Sequence, residues 1–201
     1  MPLLSKAIKD QGFAKAGSGG GNYLNPGSIS PGDKTRITFL GDDSATGYEC
    51  WADGPEGKRV KLTFADEPSR SDLEERAAEM KAKLPGDAVA KRFMAFAVWN
   101  YELDKIQVFQ FNQTSLANPI INYLSDDEIE AETTLYDFVI TKIKTGSEAR
   151  DVRYEVGVMP GRRRKEDVNK VISAAWDAAV NEGFDITALT TGGDPFKGVP
   201  F

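Results

Sequence analysis

Residues 91–111, KRFMAFAVWNYELDKIQVFQF, decide the fold. Arg92–Trp99 is almost wholly apolar and Ile106–Phe111 is rich in β-branched and aromatic types, so both read as β-strands. Between them, Asn100-Tyr101-Glu102-Leu103-Asp104-Lys105 is polar enough to turn in water. The pleat puts Phe93, Ala95, Ala97 and Trp99 on one face of the first strand, and Met94, Phe96 and Val98 on the other. An antiparallel hairpin normally needs one such face for a core, so the second must be covered by a helix, a partner or a ligand. A helix of the same chain suffices for most of these positions. Trp99 and Tyr101 differ, because they stand at the strand end and in the turn, beside Lys91, Arg92 and Lys105. Aromatics beside a cationic track hold single-stranded nucleic acid without reading its sequence.

Working back from the hairpin, Arg36–Leu40 starts a strand, Gly41-Asp42-Asp43 breaks it, and Tyr48–Trp51 resumes it. Lys58–Phe64, KRVKLTF, alternates Arg59, Lys61 and Thr63 with Val60, Leu62 and Phe64. Its polar face reads either as solvated surface or as a phosphate track. Ser71-Asp72-Leu73-Glu74 is a capping box for a helix presenting Leu73, Ala77, Met80 and Leu84, which Pro85-Gly86 stops.

Working forward, Asn118 and Pro119 read as the N-cap and first residue of a short helix packed by Ile120, Ile121 and Leu124. The acidic run from Asp126 to Glu132 reads as solvated surface rather than a metal site. Leu135–Ile143 and Val152–Val158 pair around Thr145-Gly146-Ser147. Arg162, Arg163, Arg164 and Lys165 form the densest positive cluster. An amphipathic helix follows, with Val168, Val171, Ile172, Ala175, Trp176, Ala179 and Val180 on one face, which marks Trp176 as core.

The composition puts flexible segments at both ends. Residues 1–33 read as an arm, with Leu3, Leu4, Ala7 and Ile8 at helical spacing and a glycine-rich joint over 17–21. Such an arm is suited to self-association, and equally to fraying as a free terminus. Residues 185–201 read as a flexible tail ending in Pro200 and Phe201, isolated anchors suited to a partner's pocket. Residues 34–184 make the single domain between them, ample in a chain of 201 residues for a buried core.

Charge and composition narrow the chemistry. The chain has no histidine and one cysteine, Cys50, so it lacks Ser-His and Cys-His nucleophiles, histidine metal ligands and an internal disulfide. No carboxylate pair stands out by spacing for acid–base work, so neither an enzyme nor a cofactor is expected. A net charge of −6 argues against nucleic-acid affinity unless charge is segregated, and it is: residues 66–90 carry 4 basic and 7 acidic side chains and residues 166–201 carry 2 and 6, while the blocks holding the strands are near neutral. No run reaches the roughly 18 apolar residues of a membrane span. With Lys6 and Lys9 soon after Met1 and no apolar leader, a cytoplasmic location is expected.

Several short strands with turn signals and few long helices suit a small β-barrel. Phe96-Ala97-Val98-Trp99-Asn100-Tyr101, then Lys105-Ile106-Gln107-Val108, a short helix, and Tyr136-Asp137-Phe138-Val139-Ile140-Thr141-Lys142 with a glycine turn resemble the single-stranded DNA-binding proteins of tailed phages over residues 36–160. Val199-Pro200-Phe201 also resembles the Pro-Phe tip of bacterial single-stranded DNA-binding proteins. The resemblance implies an OB-fold core with an aromatic and basic groove and a tip that recruits replication or recombination proteins. The expected fold is therefore mainly β with flanking helices, an OB-fold-like small barrel plus a C-terminal amphipathic helix. The expected function is sequence-independent binding of single-stranded DNA in phage replication, recombination or repair. Trp51, Trp99, Tyr101 and Phe109 are the stacking candidates. Arg36, Lys58, Arg59, Lys61, Lys91, Arg92, Lys105 and the 162–165 cluster are the phosphate candidates. The alternative is a phage-encoded protein-binding module or inhibitor built on an OB-like core.

Overall fold

Lys34–Asp53 forms one long strand, β2, on which the sheet is built. The computed structural model describes residues 21–126, 136–148, 151–159 and 166–199. Antiparallel to β2 run β3 (Arg59–Phe64), β4 (Lys91–Asn100) and β6 (Asp137–Lys144). The expected hairpin is present: β5 (Lys105–Phe111) pairs with β4 from Met94↔Phe111 to Asn100↔Lys105. β7 (Val152–Met159) pairs with β6, and β1 (Tyr23–Leu24) adds to β5 in parallel. The order is β1-β5-β4-β2-β6-β7, with β3 on β2 off this path: a seven-stranded mixed sheet that does not close. Among the described residues three α-helices accompany it: α1 (Arg70–Glu79), α2 (Thr114–Leu124) and α3 (Glu166–Asn181).

The expected break at Gly41-Asp42-Asp43 is a bulge inside β2, where the register to β4 shifts between Phe39 and Ser44. Gly41 has φ 64°, and a Cβ there would stand 2.6 Å from Cζ2 of Trp176, so glycine lets α3 lie against the bulge. A Cβ at Gly47 would meet the Phe64 carbonyl at 2.6 Å. That close approach seats the end of β3 on β2, and Lys61 of β3 reaches Gln110 of β5 at 2.9 Å.

The main core lies between one face of the sheet and α2. Ile37, Phe39, Phe96, Val98, Phe109, Leu116, Ile120 and Phe138 are buried there. Phe39 meets Phe96 and Phe138 edge-on, with ring centroids 5.0 and 4.7 Å apart. The opposite face of β4 is covered too, by the chain itself. Phe93 and Ala95, with Ala45 and Val108, pack under Ile186, Leu189 and Phe196, while Ala97, Trp99 and Leu40 pack under Ile172 of α3.

Both segments that composition marks as flexible therefore contribute to the fold where they are described. Leu24 and Ile29 join the main core, and Ile186, Leu189, Pro195 and Phe196 are buried. Two helix starts also differ from expectation. The capping box of α1 is Ser69 with Asp72: the Asp72 carboxylate accepts the Ser69 N–H at 2.7 Å, and Ser69 Oγ accepts the Asp72 N–H at 3.2 Å. The chain leaves α1 after Glu79, with Lys81 at φ 53°, so Met80 is exposed and Pro85-Gly86 lie beyond the helix. Helix α2 starts at Thr114 and carries Pro119 inside it. The N–H that Pro119 lacks would have bonded the Ser115 carbonyl one turn back, while the Ser115 hydroxyl oxygen accepts the Tyr154 N–H of β7 at 3.1 Å.

Candidate nucleic-acid interface

Beyond the end of β4, which pairs with β2 only as far as Glu49, strands β2 and β3 continue as a two-stranded arm. One face of this arm carries Cys50, Ala52 and Leu62, buried against Leu73 and Ala77 of α1. The opposite face carries Glu49, Trp51 and Asp53, paired across the ladder with Thr63, Lys61 and Arg59. Trp51 is 43% exposed, and the Arg59 guanidinium lies 5.7 Å from its ring centroid. Arg59 also stands 3.9 Å from Asp53, and Lys58 stands 3.4 Å from Glu56. Both ion pairs are solvent-exposed and weak, so these cations are available to an anion.

The coiling of β2 brings Lys61 over the β5 edge. Its Nζ donates to Gln110 Oε1 at 2.9 Å and stands 6.0 Å from the ring centroid of Tyr23. Gln110 Nε2 donates to Glu49 at 2.9 Å, and Asn112 Nδ2 donates to the other Glu49 oxygen at 2.7 Å. Burial lowers the Lys61 pKa, and Glu49 works against that shift. Burial and, after it, the Asp194 carboxylate raise the pKa of the Tyr23 hydroxyl. The result is a surface strip with an exposed aromatic at each end, Trp51 and Tyr23, and an amide-held lysine between them. Lys91 and Arg92 are both exposed, but only Lys91, opposite Glu49 in the ladder, lies on this face; Arg92, opposite Tyr48, lies on the other.

The other candidates lie elsewhere. Trp99 is 6% exposed, under Ile172 of α3, and Phe109 is fully buried against Phe111 at 4.7 Å; both are core residues, not stacking platforms. Trp99 sits at a strand end, as read from sequence, but α3 arrives from far along the chain to cover it. Phe109 points to the α2 side of the sheet, the opposite face from Lys61 and Trp51. Tyr101 and Arg36 are joined in a structural clamp. The Arg36 guanidinium stacks on the Tyr101 ring at 4.4 Å and pairs with Asp137, whose other oxygen accepts the Tyr101 hydroxyl at 2.7 Å. Asp137 is buried, so the clamp offsets the cost of burying its charge. Lys105 is half-buried at the far end of the hairpin, beside a cavity of about 210 Å³ lined by Trp99, Ile106, Ala175 and Phe196. Arg162, Arg163, Arg164, Lys165, Pro200 and Phe201 lie outside the described residues.

Sequence reasoning missed Tyr23, Glu49, Gln110 and Asn112. A two-residue strand such as β1 is too short to show a period, and polar residues at a strand end look like solvated surface until the sheet coils. Among the described residues, no helix is long and apolar enough to cross a membrane, and no group of three or more Cys, Asp or Glu is placed to hold a metal ion. No protein-family model, curated protein or solved structure matches the chain.

Proposed function

We propose that this protein binds single-stranded DNA without sequence preference, as a non-enzymatic partner in phage DNA replication, recombination or repair. The observation that carries the reading is the exposed Trp51 with Arg59 over its ring, facing Tyr23 across Lys61. Two solvent-exposed aromatics flanking a fixed cation offer stacking faces for bases and a charge for the phosphate between them. The strand order supports an OB-like core. Read without β1 and β3, the path β5-β4-β2-β6-β7, with α2 joining β5 to β6, has the connectivity of a five-stranded Greek-key barrel of the partly open kind. On that reading the β2–β3 arm and α1 are an elaboration of the loop between the first two barrel strands, a usual place for nucleic-acid contacts in such cores.

One observation favours the alternative, a protein-binding module. The face of β4 and β5 that an OB-like core offers to nucleic acid is covered here by Ile186, Leu189, Phe196 and α3. Gel shifts on single-stranded oligonucleotides of unrelated sequence, with a duplex as competitor, separate the two readings. Comparable affinity for every single strand and weaker binding to duplex supports the proposal. Absence of any shift at low salt leaves the protein-binding module.

A further inference from the structure

The C-terminal segment borders the Tyr23 end of the strip. The turn Ile186–Thr191 packs against β2, β3 and β4, and the chain then passes Gly192, where an added Cβ would stand 3.1 Å from the Thr63 hydroxyl of β3. Two residues on, Asp194 is held by its own backbone, its Oδ1 accepting the Phe196 N–H at 3.0 Å, and Phe196 is anchored in the core beside Val108. Val108 is the ladder partner of Tyr23. The loop thus touches β3 at Thr63, and with Phe196 set beside Val108 it carries the Asp194 carboxylate to the Tyr23 end of the strip, where burial first and then this charge raise the pKa of the Tyr23 hydroxyl. The anchoring of Phe196 makes this a fixed feature of the site.

Resting on the single-strand reading above, we propose that residues 192–194 bound the Tyr23 end of the strip and that Asp194 is a specificity-determining residue, repelling phosphate there and keeping the sugar-phosphate chain on the Arg59–Lys61 side. A strand therefore enters over Trp51, stacks as far as Tyr23, and turns away from the C-terminal loop. Asp194 selects against phosphate density at that end of the strip.

The test is the salt dependence of binding to oligothymidylate, measured by fluorescence anisotropy, for the full chain and for Asp194→Asn, Asp194→Lys and Lys61→Ala. Asn keeps the acceptor for Phe196 N–H and removes only the charge, so its melting temperature should match wild type. At low salt it should bind about two- to threefold tighter, the size of one exposed charge removed about 10 Å from a phosphate. Asp194→Lys should bind tighter still and steepen the log–log salt slope by about 0.7, one further phosphate neutralised. If both Asp194 variants match wild type in affinity and slope while Lys61→Ala loses slope, the binding strip stands and the role of Asp194 is refuted. If Lys61→Ala also leaves the slope unchanged, the single-strand reading fails and takes this inference with it.

Discussion

Replacing Trp51 by alanine separates binding from folding at the proposed site. The indole is 43% exposed and points away from α1, so its loss leaves the Cys50, Ala52 and Leu62 cluster intact. What the fold loses is the contact with Arg59, worth about 0.5–1 kcal/mol at an exposed site, and the burial of about half a side chain. A total of about 1–2.5 kcal/mol follows from full-burial values of about 1.5–3 kcal/mol. What binding loses is one stacked base, about 1–3 kcal/mol, or about a 5- to 150-fold rise in Kd. Trp99→Ala should do the reverse. That ring is 6% exposed between β4 and α3, and removing it should cost about 3–5 kcal/mol of stability. Anisotropy of a labelled oligonucleotide and thermal denaturation of the same preparations give both numbers. The chain has three tryptophans, of which only Trp51 is exposed, so quenching of intrinsic fluorescence by DNA should vanish in Trp51→Ala. A folded Trp51→Ala protein that binds within a factor of about two of wild type, against the stacking range used here, would refute the reasoning.

Three other perturbations follow from the same geometry. Because burial lowers the Lys61 pKa, its charge is lost at a pH below the ordinary lysine range, so DNA affinity should fall on its alkaline side earlier than for an exposed lysine. Between the folded and the ordinary value the unfolded chain binds the extra proton, so stability should rise with pH in that window, and Lys61→Arg should remove both effects in pH-dependent titrations and melts. Arg36→Ala leaves the buried Asp137 without its ion pair and should cost about 2–3 kcal/mol by chemical denaturation, with salt-dependent binding nearly unchanged. Phe196→Ala should cost about 3–5 kcal/mol, because the ring is 3% exposed over Phe93 and Val108, and a melting temperature equal to wild type would mean that the C-terminal segment is not part of the fold.

The strands were legible where the pattern is local. The β4–β5 hairpin carries two apolar runs and a polar turn within twenty-one residues, and α3 shows its stripe over four turns, so both stand where the sequence puts them. The continuity of β2 was hidden because Gly41-Asp42-Asp43 has turn chemistry, and only the indole of Trp176 explains why a strand tolerates it. The C-terminal segment was hidden for another reason. Ile186 and Leu189 make only one turn's worth of spacing and Phe196 stands seven residues on among glycine and threonine, so they look like isolated anchors until the open face of β4 is set beneath them. At the site, Lys61 and Trp51 were legible from alternation in β3 and from the aromatic content of β2. Their neighbours Tyr23, Gln110 and Asn112 belong to β1 or to the β5 edge, distant in sequence and joined to Lys61 and Glu49 only by the coil of the sheet.

The central claim is that a single strand lies between Trp51 and Tyr23, and photo-crosslinking tests it most directly. A single-stranded oligonucleotide of about 30 nucleotides, several times the smallest footprint of such a fold, carries iododeoxyuridine throughout and is irradiated with the full chain at low salt. Peptide mapping should then place the crosslinks at Trp51 and Tyr23 and none at Trp99 or Tyr101. Crosslinks concentrated at the Tyr101 end of the hairpin, or none at all under conditions that saturate a gel shift, would contradict the account.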